Sequence, residues 1–139
     1  MPVKGRCTAI IIMNKYKLTL LPDLLVICRL HSDFPIPELP LHESGFYSVT
    51  RTADEVSLVC REESIPAGFP VEKAFRLLKV EGPLDFSLTG VLASLLKPLA
   101  DAAIPVFTIS TYDTDYILVR DSQLDQALRA LSSVAVVNR

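Results

Sequence analysis

Tyr47-Ser48-Val49-Thr50-Arg51-Thr52-Ala53-Asp54-Glu55-Val56-Ser57-Leu58-Val59 lies over Phe107-Thr108-Ile109-Ser110-Thr111-Tyr112-Asp113-Thr114-Asp115-Tyr116-Ile117-Leu118-Val119 at an offset of 60, without gaps. Residue class is kept at most positions: aromatic, hydroxyl, β-branched, hydroxyl, then a polar turn, an acid and an apolar run. Both copies read as a strand, a tight polar turn and a second strand. An earlier strand repeats at a shorter offset of 50, with Leu25 to Leu30 over Phe75 to Val80. The extra ten residues fall where the second copy has a helical pattern and the first does not. Two related units, the first with a degraded helix, predict this arrangement.

The second unit is the clearer. Lys73 to Val80 reads as a strand closed by Glu81-Gly82-Pro83. Leu88, Val91, Leu92, Leu95, Leu99 and Ala102 then recur at helical spacing and form one apolar stripe. Ser87 suits an N-cap, because its hydroxyl accepts from a free backbone N–H. Pro98 lacks the N–H that would reach the Ser94 carbonyl, so a kink or an early frayed end is expected there. Ile104-Pro105 stops the helix, since a residue before proline avoids the helical region. Strands at Val106–Ser110 and Asp115–Val119 follow. A second helix is expected from Ser122, with Asp125 as its capping-box partner and Leu124, Ala127, Leu128 and Leu131 as its buried stripe. Ala135 to Val137 is the last strand. The order β-α-β-β-α-β is the ferredoxin-like, split βαβ arrangement, with helices on one face of an antiparallel sheet.

The first unit offers strands at Lys17–Leu20 and Leu24–Leu30 around the turn Pro22-Asp23. Pro35, Pro37 and Pro40 exclude a long helix before the hairpin, and Ser64 to Pro70 excludes a full helix after it. The reading is therefore α+β: two βαββαβ units packed as one compact domain, the first (17–66) with degraded helices and the second over 67–139. Residues 1–16 are an N-terminal extension, a short edge strand or a tail. About 50 residues of mostly sheet would bury too little surface to fold alone.

Composition narrows the function. The chain has 139 residues, half of them hydrophobic, with 14 Lys+Arg against 16 Asp+Glu and a net charge of −2. Clustered basic residues supply phosphate-backbone affinity, and this balance argues against nucleic acid. A mean hydropathy of +0.36 argues against disorder. The apolar stretch Ala9 to Met13 is too short for a signal-peptide core, and no segment reaches the length of a membrane span. Cys7, Cys28 and Cys60 fit neither a metal motif nor a disulfide framework, so a reduced, cytoplasmic protein is expected. His31 and His42 have no metal-ligand spacing. There is no GxSxG, HExxH or P-loop motif, so the chain reads as a non-enzyme with no cofactor.

The hairpin segments from Ser48 to Cys60 and from Ser110 to Val119, with Phe86-Ser87-Leu88-Thr89-Gly90-Val91-Leu92-Ala93, resemble ACT domains. They are most similar to the tandem-ACT family of small bacterial proteins and eukaryotic cytosolic arginine sensors. The resemblance spans about residues 17–137. It implies βαββαβ modules that bind amino acids at interfaces between units and regulate a partner. Carried over by position, it implies ligand contacts at Thr111, Tyr112 and Asp115 on the hairpin and along Ser87, Leu88, Thr89, Gly90 and Val91. The sensors have four such units and this chain has two, so a second copy is expected to complete any equivalent assembly.

The chemistry suits that implication. A helix N-terminus presents free N–H groups and a positive dipole end to a carboxylate. Gly90 lets a ligand approach the backbone closely. Asp85, Asp113 and Asp115 are suited to an ammonium or guanidinium through charge-assisted hydrogen bonds. The plainer reading stands beside this one: Ser87 and Asp85 as cap and turn residues, Asp113 and Asp115 as turn formers. The expected protein is a small-molecule sensor, probing for an amino acid, that forms a homodimer. With no catalytic or DNA-binding domain attached, it would signal to a separate protein partner, and it would contact neither nucleic acid nor membrane. The alternative is a ligand-free module for protein–protein interaction or dimerisation.

Overall fold

The computed structural model describes residues 15–36, 39, 45–82 and 89–139. Along the chain come β1 (Tyr16–Leu20), β2 (Leu25–Leu30), β3 (Ser48–Arg51), β4 (Val56–Arg61) and β5 (Val71–Val80). Then follow α1 (Val91–Asp101), β6 (Phe107–Ser110), β7 (Asp115–Arg120), α2 (Leu124–Leu131) and β8 (Ala135–Asn138). Short 3-10 turns occupy Glu62–Ser64 and Asp121–Gln123. This is the expected α+β fold: two related units, with helices present in the second and reduced in the first. The N-terminal residues up to 14, including Cys7, lie outside the described residues.

The eight strands of the described residues form one sheet, in the order β3-β4-β2-β5-β1-β8, with the β6–β7 hairpin joined to β5 through β7. The pairing is antiparallel except between β1 and β8, which run parallel. β1 lies between β5 and β8, so a strand read with the first unit pairs with strands of the second. The ten-residue β5 is shared. Its first half pairs with β2 and its second half with β7 and β1. The register shifts between these stretches, where Ala74 takes a positive φ of 62°. Such a shift is the mark of a β-bulge.

The register corrects the repeat by one residue. Arg51 pairs with Val56 and Ser110 with Asp115, so the two hairpins superpose at an offset of 59, not 60. The offset of 50 between β2 and β5 stands, because Leu25 opposes Arg61 as Phe75 opposes Arg120.

Three cores follow from this layout. Where α1 and α2 cover the second unit, Leu18, Leu78, Val80, Ile117 and Val119 of the sheet meet Val91, Leu95, Leu99, Leu124 and Leu131 of the helices. In the first unit Val26, Cys28, Leu30, Leu58 and Cys60 are covered by Phe34, Ile36, Leu39, Ile65 and Phe69 from irregular connections. Phe69 packs edge-on against both His31 and Phe34. A third core, of Leu25, Val59, Phe75, Leu77 and Leu118, joins residues of both units.

The helix ends depart from expectation. α1 begins at Val91, with Gly90 (φ 76°) as its N-cap and no side-chain cap bond. Gly90 thus holds the cap position expected of Ser87, and Ser87 and Leu88 lie outside the described residues. The helix runs through Pro98 and closes three residues later. Ile104 N–H donates to the Leu99 carbonyl and Ala103 N–H to that of Ala100, with Ala103 left-handed at φ 57°. That is a Schellman closure. Ser122 sits in a 3-10 turn, and α2 starts at Leu124 with no side-chain cap, so the expected capping box is absent. The 3-10 turn takes the place that a cap would occupy.

Candidate functional site

The β6–β7 turn is built by threonine. Thr111 N–H donates to the Thr114 carbonyl at 2.8 Å, and Thr111 Oγ1 accepts from Thr114 N–H at 3.3 Å. Thr114 itself is buried, and its Oγ1 donates to the carbonyl of Val80 at 2.5 Å. Val80 ends β5, the strand that leads towards α1. This bond therefore ties the hairpin turn to the exit of the strand preceding the helix.

At the base of the turn Ser110 Oγ donates to Asp115 Oδ1 at 2.6 Å. The bond holds the carboxylate in place and leaves its second oxygen to accept from another donor. Tyr112 stands at the tip, 82% exposed. Thr111 and Asp113 are also exposed. On the other side of the expected site Thr89 and Gly90 are exposed, while the Val91 side chain is buried in the core. Val91 thus offers its backbone. The first-turn N–H groups of a helix have no partner within it, and among the described residues no side chain caps them and the first turn carries no acid. Asp85, Ser87 and Leu88 lie outside the described residues. Among the described residues no group of His, Cys, Asp and Glu is placed to hold a metal ion.

The first unit repeats the turn but not the chemistry. Thr52 N–H donates to the Glu55 carbonyl at 2.9 Å, and Thr52 Oγ1 accepts from the N–H groups of Asp54 and Glu55. At the positions of Ser110 and Asp115 it carries Arg51 and the buried Val56. The Arg51 guanidinium donates to the Phe34 carbonyl, and that of Arg29 to the Asp54 carbonyl at 3.0 Å. No carboxylate faces outward from this pair.

Reading the chain by segment missed the clefts between the units. One of about 320 Å³ includes Asp23, Phe46, Lys79 and Tyr116, and another of about 390 Å³ includes Arg29, Ser57, Glu72 and Phe107. Their residues are far apart in sequence, and no local motif marks them. No helix among the described residues is long and apolar enough to cross a membrane.

Comparison with known proteins agrees with this architecture. The family model of the ACT domain matches residues 71–133, and an N-terminal-domain model matches residues 24–68. The bovine cytosolic arginine sensor for mTORC1, subunit 1, is 31% identical over 98 residues. That match takes in 63% of this chain but only 30% of the sensor's length. The crystal structure of protein Atu0741 from Agobacterium tumefaciens aligns with a TM-score of 0.81 at 32% identity, covering 91% of this chain and 96% of that one. Protein VC0802 from Vibrio cholerae shares the fold with a TM-score of 0.67 at 23% identity, over 94% of this chain and 98% of its own.

Proposed function

This chain belongs to the ACT-domain family, and from that premise we propose that it is an amino-acid-binding regulatory protein acting on a separate partner. The observation that carries the reading is the Asp115 carboxylate, held by Ser110 beside a turn that Thr114 anchors to the end of β5. The ligand's α-carboxylate meets the start of α1, along Ser87, Leu88, Thr89, Gly90 and Val91. Its ammonium or guanidinium meets Asp115, with Asp85 as a second acid and Thr111 and Tyr112 at the rim. A helix terminus and a fixed carboxylate complement the two ends of an amino acid. The bovine relative's name makes arginine the first ligand to try.

Regulation then follows by linkage: whatever factor the ligand adds to partner affinity, the partner adds to ligand affinity. The protein acts in the cytoplasm as a homodimer. The first unit, with Val56 in place of Asp115, contributes assembly and not a second site of this kind.

A thermal-shift screen against the twenty amino acids at millimolar concentration tests the reading. A ligand at 100 times its Kd that binds only the folded state adds about 2.7 kcal/mol, a shift of several degrees. One amino acid should raise Tm, and Asp115→Ala should abolish the shift while leaving the unliganded Tm within a few degrees. Silence across the panel, or a shift that survives Asp115→Ala, would overturn the site. Silence would favour a ligand-free interaction module.

A further inference from the structure

We propose that the seam between β3 and β6 docks one extended peptide segment of a partner protein through main-chain hydrogen bonds. Six strands lie side by side in the row β3-β4-β2-β5-β7-β6. Arg61, Leu25, Phe75 and Arg120 oppose one another in turn across its four inner strands. Every pairing along the row is antiparallel, so β3 and β6 run in opposite directions. These end strands line one cleft of about 350 Å³, with Ser48, Val49 and Thr50 on one side and the stretch from Phe107 to Thr111 on the other. The row therefore curls back on itself, as a barrel does, and stops short of closing.

The hairpin registers fix which main-chain groups face the seam. Hydrogen-bonded and non-bonded pairs alternate along an antiparallel ladder. Thr52 bonds to Glu55, so the bonded pairs continue at Thr50–Ser57 and Ser48–Val59. Thr111 bonds to Thr114, and the series continues at Ile109–Tyr116 and Phe107–Leu118. Val49, Thr108 and Ser110 are left with N–H and C=O groups that point away from their own hairpins. All three residues line the cleft, and among the described residues nothing pairs with these backbone groups.

Exposed strand edges are ordinarily blunted by lysine, proline or a bulge. From Ser48 to Thr50 and from Phe107 to Ser110 neither strand carries one. Unpaired donors and acceptors on both walls complement another main chain, which presents the same two groups by turns, and strand addition to an open edge is a recurring mode of peptide recognition. A cleft of this volume admits a single strand and excludes a folded domain. Its inner side favours small side chains, because Val59, Phe107 and Ile109 already occupy it as part of the third core. The proposal does not rest on an amino-acid site at Asp115, since the groups it uses belong to the backbone of other residues.

Isothermal titration of the whole chain with the capped peptide Ac-Thr-Val-Thr-Val-Thr-NH2 tests the proposal. Thr108→Pro removes the N–H that faces the seam and no bond to β7, and proline is tolerated at such an edge position. Thr108→Ala keeps that N–H. The expected result is saturable binding, weakened about tenfold or more by Thr108→Pro and by N-methylation of the peptide's two valine amides. Binding should be kept in Thr108→Ala and in Asp115→Ala. Val49→Pro makes the same test from β3 if Thr108→Pro fails to fold. No saturable binding overturns the proposal, as does binding indifferent to the proline variants or to N-methylation. Proline variants that dissociate a dimer in sedimentation, with no peptide present, would give the seam to a second copy and also overturn it.

Discussion

Leu25 and Phe75 occupy the same position in their two units and face each other directly across β2 and β5. An antiparallel pair in which a residue meets its own counterpart is what a two-fold axis produces. The axis that relates the units within this chain therefore passes between these side chains. Around it the third core closes, and Arg120 lies over the Phe75 ring, 4.4 Å from its centroid. The same guanidinium donates to the Lys73 carbonyl and to Glu72, each at 2.7 Å, which fixes the bulged half of β5.

Phe75→Ala should consequently cost about 3–5 kcal/mol, and Leu25→Ala about 2–5 kcal/mol. Because the lost contacts lie between the units, both variants should unfold in one cooperative urea transition, followed by circular dichroism. A first unit melting ahead of the second would contradict a shared core.

Thr114→Val keeps the shape of the side chain but removes the donor that the Val80 carbonyl accepts. A buried acceptor left unpaired costs about 1–3 kcal/mol, whereas Thr114→Ser keeps the hydroxyl and should cost less. Chemical denaturation of the two variants separates the bond from the packing. Equal losses would mean that the methyl group, not the hydrogen bond, is what matters.

Much of this was legible in the sequence, and what was not has identifiable causes. The hairpins are marked by Thr52 to Glu55 and Thr111 to Thr114, but their register differs by one residue from the class-by-class superposition. Leu58-Val59-Cys60 and Ile117-Leu118-Val119 are buried on both faces of the sheet, so hydropathy does not say which residue faces which way. Only the hydrogen bonds of the threonine turns set the offset at 59. The stripe through Leu88 had helical phase, yet the helix begins after Gly90, whose positive φ breaks the phase. Lys79 and Asp23 line one cleft because β1 and β2 run along β5, and no local pattern reports a cleft built from such distant segments.

Ala103 closes α1 in the left-handed conformation, where its Cβ is crowded by the backbone. Glycine is the usual residue at this position of a Schellman motif. Ala103→Gly should therefore raise stability by about 0.5–1 kcal/mol, the relief of strain outweighing the added freedom of the unfolded chain. Ala103→Val should lower it by more than that. Thermal melts of both give the ordering, and a destabilised glycine variant would show that the alanine conformation carries no strain.

Cys28 is fully buried between β4 and β5, and burial pushes its thiol above the ordinary cysteine value because the thiolate loses its water. Below about pH 8 the thiol is protonated both folded and unfolded, and stability is complete in this respect. Above about pH 8.5 the unfolded chain gives up its proton first, so unfolding is favoured as pH rises, by at most about 1.4 kcal/mol per pH unit for one thiol. Urea denaturation of the wild type and of Cys28→Ala at pH 7 and pH 10 isolates the effect, since every other titrating group is common to both. The wild type should lose more stability than the variant between the two pH values, and its native thiol should resist a thiol reagent until the chain opens. Equal losses would mean that Cys28 reaches water in the folded protein.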